Sequence, residues 1–204
     1  MPAMRISVVI RAALPLFLLL APTGPHPAKA DDSAAATQKD VSVSPKQRLD
    51  DLFTALKRER DPDQASAIAD DIRLQWSDSG SATINILMQW ADKAIAEKRS
   101  AAALDFLDQV IALKPNFVEG WNRRATLNYA LGNYRKSMED INHVLMLEPR
   151  HFGALAGMAA ILSETGNEEL ALKAWQRFLE IYPADRSAQQ QVDTLTEKLS
   201  GSPI

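Results

Sequence analysis

Apolar residues along this chain recur at helical intervals. Leu49, Leu52, Phe53 and Leu56 follow an i, i+3, i+4, i+7 spacing, and Ala65, Ile68, Ala69 and Ile72 resume it after Arg60-Asp61-Pro62. That interval gathers the apolar groups on one face of a helix with 3.6 residues per turn. From Gln47 onward, the apolar–polar alternation of a half-buried strand is absent. Towards the end, Ala188, Val192, Leu195 and Leu199 line a single face, with Gln, Asp, Glu and Lys between them. The pattern predicts an all-α chain of about nine helices.

Three prolines divide the middle of the chain into equal parts. Pro115, Pro149 and Pro183 stand 34 residues apart, each closing a similar string: IALKP, LMLEP and LEIYP. The copies run over 84–117, 118–151 and 152–186. A proline lacks an N–H and restricts the residue before it, so it stops one helix and lets the next begin. Within each copy a turn separates two helices: Lys98-Arg99-Ser100, Gly132-Asn133-Tyr134 and Gly166-Asn167-Glu168. Glycine in two of the three fits the left-handed residue that commonly ends a helix. The stretch 46–79 reads as a divergent helix pair ahead of the copies. Its Ala65 precedes Ala103 by 38 residues, and the extra four fall in the linker Ser77-Asp78-Ser79-Gly80-Ser81. Phe53 stands where a small residue is expected, so this pair is expected to cap the stack or to pack loosely at its head. Residues 187–200 form a half-polar helix of the kind that seals the far end of a stack.

This unit resembles the tetratricopeptide repeat, a 34-residue helix–turn–helix. The family's position 4 is held by Leu87, Trp121 and Leu155, and position 8 by Ala91, Ala125 and Ala159. Position 15 carries Lys98, Gly132 and Gly166, position 20 carries Ala103, Ser137 and Ala171, and position 32 carries the three prolines. Lys98 is the one departure. The resemblance implies a right-handed solenoid of antiparallel helix pairs, with a concave groove lined by the first helices. Read residue by residue, that groove comprises Asn85, Met88, Asp92 and Ile95; Glu119, Asn122, Thr126 and Tyr129; and Gly153, Ala156, Ala160 and Ser163. Some members grip a C-terminal carboxylate with Lys or Arg at position 5 and Asn at position 9. Met88 with Asp92, Asn122 with Thr126, and Ala156 with Ala160 do not make that clamp. The small residues of the third copy leave room for a partner's helix or extended segment, for the chain's own C-terminal helix, or for a second copy.

Residues 1–30 change the expected location. They hold no acidic residue, Arg5 and Arg11 near the start, an apolar run from Ala12 to Ala21, and a closing Ala28-Lys29-Ala30. That layout is a secretory signal peptide cleaved after Ala30, its apolar run too short to span a bilayer. With the resemblance, it points to the bacterial periplasm, or alternatively to a secreted protein. Residues 31–45, small and polar, read as a flexible spacer. Loss of Arg5, Arg11 and Lys29 leaves 20 basic against 26 acidic residues, a formal charge of −6. An acidic chain without a basic cluster argues against nucleic acid. No cysteine occurs, so disulfides, thiolate metal sites and lipoprotein anchoring are excluded, and no stable membrane insertion is expected once the leader is removed.

Candidate chemistry is sparse. His143 and His151 match no metal-ligand spacing and are expected at the surface. No nucleophile elbow, phosphate loop or dinucleotide fingerprint is present. The acidic neighbours Asp50-Asp51, Asp70-Asp71, Glu139-Asp140 and Glu168-Glu169 are expected on solvated faces. Trp90, Trp121 and Trp175, at repeat positions 7, 4 and 24, are expected in the core, with Trp76 near the linker unassigned. The expectation is a non-enzymatic scaffold without cofactor or metal. Its partner would be another envelope protein or peptide, with a homodimer as the rival arrangement. Support of envelope assembly or integrity is what similar exported repeat proteins imply.

Overall fold

The computed structural model describes residues 44–201. Among these, nine helices and no strands occur: α1 (Pro45–Arg58), α2 (Pro62–Ser77), α3 (Ala82–Ala96), α4 (Ser100–Leu113), α5 (Val118–Ala130), α6 (Tyr134–Leu147), α7 (Phe152–Glu164), α8 (Glu168–Ile181) and α9 (Arg186–Ser200). The predicted leader and residues 31–43 of the predicted spacer lie outside the described residues. Ser44 and Pro45, assigned to the spacer by composition, instead start α1. The Ser44 hydroxyl accepts from the Gln47 N–H, and proline opens the helix where its missing N–H costs nothing.

The three copies close their first helices in the same way. The Arg99, Asn133 and Asn167 N–H groups reach back to the carbonyls of Ala94, Asn128 and Leu162, each at 2.8 Å. The residue before each bonds two positions into the helix, which completes a Schellman turn. That turn needs a positive φ, and Lys98, Gly132 and Gly166 have 57°, 73° and 75°. Lys98 thus adopts the glycine conformation despite its side chain, at a cost of roughly 1–2 kcal/mol. The second helices end on the residue before proline: Lys114, Glu148 and Tyr182 each make the last helical bond and then leave helical geometry.

Small residues set the approach within each hairpin. Ala91 and Ala103, Ala125 and Ser137, and Ala159 and Ala171 are all buried, as are Leu87 and Leu155. Ser137, the only hydroxyl among these, donates to the Ala125 carbonyl at 2.8 Å, so its polar atom is not orphaned. Hairpins α3–α4, α5–α6 and α7–α8 then stack in order, and α9 packs on α8. The C-terminal helix therefore ends the stack and does not enter the groove.

The first pair, α1–α2, does not sit at the head of the stack. Beyond each other, α1 meets α8 and α2 meets α5. Phe53, Leu56, Ala69, Ile72 and Trp76 share one buried cluster with Phe152, Leu155, Phe178, Tyr182 and Ala188. The two clusters around α3 and α4 contain no residue of α1 or α2. Arg150 fastens the arrangement, reaching Asp50 Oδ1 at 2.8 Å and lying 4.1 Å over the Phe53 ring. The four-residue linker Asp78–Ser81 lets α2 leave the stack: Gly80 turns at φ 68°, and Ser79 donates to Asn85 Oδ1 through its N–H and its hydroxyl.

This placement corrects the reading of Trp90, which is 52% exposed. Repeat position 7 faces the second helix of the preceding unit; in the second repeat Arg124 holds that position and reaches back to Asp108 of α4 at 2.6 Å. With α2 packed elsewhere, α3 has no such neighbour, and Trp90 leans on Phe106 alone among the rings.

Candidate functional site

Because α2 lies beside α5 and the start of α7, the groove acquires a second wall. A cleft of about 430 Å3 runs between Asp70, Arg73, Leu74, Trp76 and Ser77 of α2 and Glu119, Asn122, Arg123 and Thr126 of α5, ending at His151, Phe152 and Gly153. A second cleft of about 340 Å3 continues from it along Asn85, Met88, Gln89 and Asp92 of α3. The two share Ser77, Glu119 and Arg123. Seven of the twelve groove residues expected from sequence therefore line one elongated trough: Asn85, Met88, Asp92, Glu119, Asn122, Thr126 and Gly153.

The other five serve elsewhere. Ile95 is half-buried against the α3–α4 core, and Ala156 against the core that α1 and α2 complete. Tyr129 and Tyr134 both donate to the Glu164 carboxylate, tying the second repeat to the third. Ala160 and Ser163 are half-buried outside both clefts.

His151 is the residue that sequence reading misplaced most. It is 2% exposed and caps α7, its Nδ1 accepting the Ala154 N–H at 3.0 Å. An accepting Nδ1 leaves the proton on Nε2, which donates to Glu119 Oε1 at 3.1 Å. Trp76 stacks on the imidazole, with centroids 4.1 Å apart and planes 14° from parallel. A histidine immediately before the first apolar residue of a helix was the available signal, since capping needs a side-chain acceptor there.

Glu119 faces opposing influences. Burial pushes its carboxyl up, but the hydrogen bonds from His151 and the Asn122 amide and the charge of Arg123 together hold it below its ordinary value. A carboxyl lowered by folding contributes stability that is fully present above about pH 4.5 and is lost as pH falls through the folded value. Glu119→Gln is therefore expected to cost about 1 kcal/mol at neutral pH. Urea unfolding across pH should show variant and wild type converging in acid; a constant gap would contradict this.

One further expectation is corrected. Asp140 is buried, not solvated: Arg124 holds it through Nε at 2.9 Å and Nη2 at 2.7 Å. Trp121 packs against the core as its repeat position implies, half-buried, stacking on the half-buried His143 and donating to the Pro115 carbonyl at 2.9 Å. Trp175 is half-buried against Phe178. Among the described residues, no group of three or more His, Asp or Glu could hold a metal ion. None of their helices is long and apolar enough to cross a membrane.

Comparison with known proteins gives this architecture its relatives. Residues 118–151 match the family described as tetratricopeptide repeat. A TPR repeat-containing protein of Rhizobium etli is 66% identical over 203 residues, covering 99% of each chain. The small glutamine-rich tetratricopeptide repeat-containing protein 2 of Mycosarcoma maydis is 24% identical over 126 residues, 62% of this chain and 36% of that one. Among solved structures, the first TPR of Spaghetti (RPAP3), bound to an HSP90 peptide, superposes with a TM-score of 0.56 at 19% identity, over 59% of this chain and 96% of that one. The Sgt2 TPR domain of Aspergillus fumigatus gives 0.54 at 18% identity, over 59% and 81%.

Proposed function

The chain belongs to the tetratricopeptide repeat family, whose domains mediate protein–protein contacts, and from that premise we propose that it is a non-enzymatic scaffold holding a peptide segment of a partner in the trough walled by α2. The observation that carries this is the continuity of the two clefts along α3, α5 and the start of α7. Among the described residues, no group of three or more His, Asp or Glu that could hold a metal ion lies in the trough. The RPAP3 domain was solved with a peptide, which supports the general mode, although the residues at the clamp positions here differ. The leader-like composition of residues 1–30 supports an address in the periplasm of a Gram-negative bacterium, and an envelope protein is the partner proposed. Support of envelope assembly or integrity is the process proposed.

The test is photo-crosslinking in cells from single positions. Met88 and Thr126 face the trough, whereas Leu113 and Met146 are exposed outside both clefts. A benzophenone residue at 88 or 126 is expected to capture one envelope protein that positions 113 and 146 do not. Equal capture at all four positions, or capture only at 113 and 146, would end the proposal. Cell fractionation with N-terminal sequencing checks the address, with Asp31 expected as the first residue.

A second reading, self-association, has one observation behind it. Ile86 and Trp90 of α3 are exposed side by side, where a stacked solenoid would place another helix. Light scattering should then show a concentration-dependent dimer that Trp90→Glu abolishes; a monomer at every concentration removes this reading.

A further inference from the structure

We propose that the open end of the first repeat, the outer face of α3 and α4, docks a second copy of this chain around a two-fold axis running between the two helices and parallel to them. This deepens the self-association reading and rests on it.

The other repeats show that this face is not shaped for α2. Position 3 of the second and third copies is small, Gly120 and Ala154, and both residues are buried. At Gly120 the preceding helix comes so close that an added methyl would stand 2.7 Å from Val110 Cγ1 of α4. The first copy carries Ile86 at that position, 44% exposed, with Trp90 one turn on at 52%. A branched side chain there keeps a helix of the same chain from seating on α3 as α4 seats on α5. On α4, Phe106 and Leu113 are seven residues apart and so lie on one side of the helix. Phe106 meets the Trp90 ring at 5.6 Å, and Leu113 is 64% exposed. Four large apolar side chains therefore make one patch at the end of the stack, with an exposed tryptophan of the kind that anchors protein interfaces.

Charge selects the occupant. Lys93 follows Trp90 by three residues and Asp105 precedes Phe106 by one, so a cation on α3 and an anion on α4 border the patch. Both are exposed, and neither has an ion-pair partner among the described residues. A face with one sign on each helix is complementary to itself when two copies meet with α3 over α4. The hairpin is antiparallel and sets Trp90 beside Phe106, so the stated axis brings Trp90 onto Phe106 of the second copy and Lys93 onto its Asp105. A purely acidic or purely basic partner would instead oppose one of the two charges. Met88 and Asp92 line the trough from another side of α3. The docked pair therefore carries two troughs, and a partner that offers two segments is held more tightly than by one copy.

Sedimentation equilibrium of the full chain at low salt gives the dimer affinity of the wild type, Lys93→Glu, Asp105→Lys and the variant carrying both. Each single change sets like charges against each other across the contact and should weaken the dimer about fivefold. The double variant restores opposite charges in reversed order and should recover most of that loss. Both side chains are exposed, so all three variants should keep the helical spectrum of the wild type. A double variant that dimerises more tightly than both single ones supports the inference. One that does not overturns it, and leaves self-association through another face standing. A monomer at every concentration overturns the inference together with the self-association reading. A benzophenone residue at position 113 supplies the second check: it should capture a second copy of this chain, and capture of a different protein there alone would overturn the choice of occupant.

Discussion

Trp76→Ala should cost about 3–5 kcal/mol in urea unfolding, the range for truncating a large buried aromatic side chain. The indole is the point where three elements meet. It stacks on His151 at 4.1 Å, tilts against Phe152 at 5.1 Å and against Phe53 at 5.8 Å. Removing it leaves a void between α2 and the start of α7, and it strips the flat cover from a buried imidazole. The loss should also be uneven. Amides of α1 and α2 should lose hydrogen-exchange protection first, because the α3–α4 clusters take no residue from that pair. A cost under 1 kcal/mol, or uniform loss of protection, would show that the pair is not held as described.

Arg124→Ala is the second large effect, at roughly 2–4 kcal/mol. The guanidinium bridges Asp140 of α6 and Asp108 of α4. Its hydrogen bonds to Asp140 raise its pKa above the ordinary value against the opposing pull of burial, and Asp108 adds to the rise. Truncation strands the Asp140 carboxylate, whose side chain is only 5% exposed. An uncompensated buried charge typically costs 3–5 kcal/mol; the figure here is lower because Arg124 itself keeps 22% of its side chain in water. Asp108→Ala, which removes the exposed partner, should cost under 1 kcal/mol. Parity between the two variants in thermal unfolding would contradict this division.

The stacked hairpins were legible because repetition is a local signal. Three prolines at one spacing, with paired small residues at another, report helix ends and helix approach without tertiary knowledge. The departure at Lys98 even kept the backbone of its glycine counterparts. Where the reading stopped is equally physical. Periodicity showed that α1 and α2 were amphipathic but not which surface they would cover, since any apolar face can accept an apolar stripe. The four extra residues before α3 were the visible trace of a pair leaving the stack. Trp90 was misjudged because position 7 is buried by the preceding unit, and here no helix of the first pair supplies that cover. His151 and Asp140 were misjudged for another reason: each owes its burial to a partner on a different helix, Glu119 and Arg124, and turn position or charge alone does not report that.

The second wall of the trough depends on α1–α2 folding across the second and third repeats. A chain without cysteine allows that to be tested directly: Asp50→Cys with Arg150→Cys, treated with a short bifunctional maleimide. The two side chains meet at 2.8 Å across 100 residues, and both are partly exposed, so a reagent can reach them. An intramolecular link in high yield from the monomer is the predicted result. Absence of that link, with a link forming instead between Leu74→Cys and Trp90→Cys, would put α2 on α3 and contradict the account.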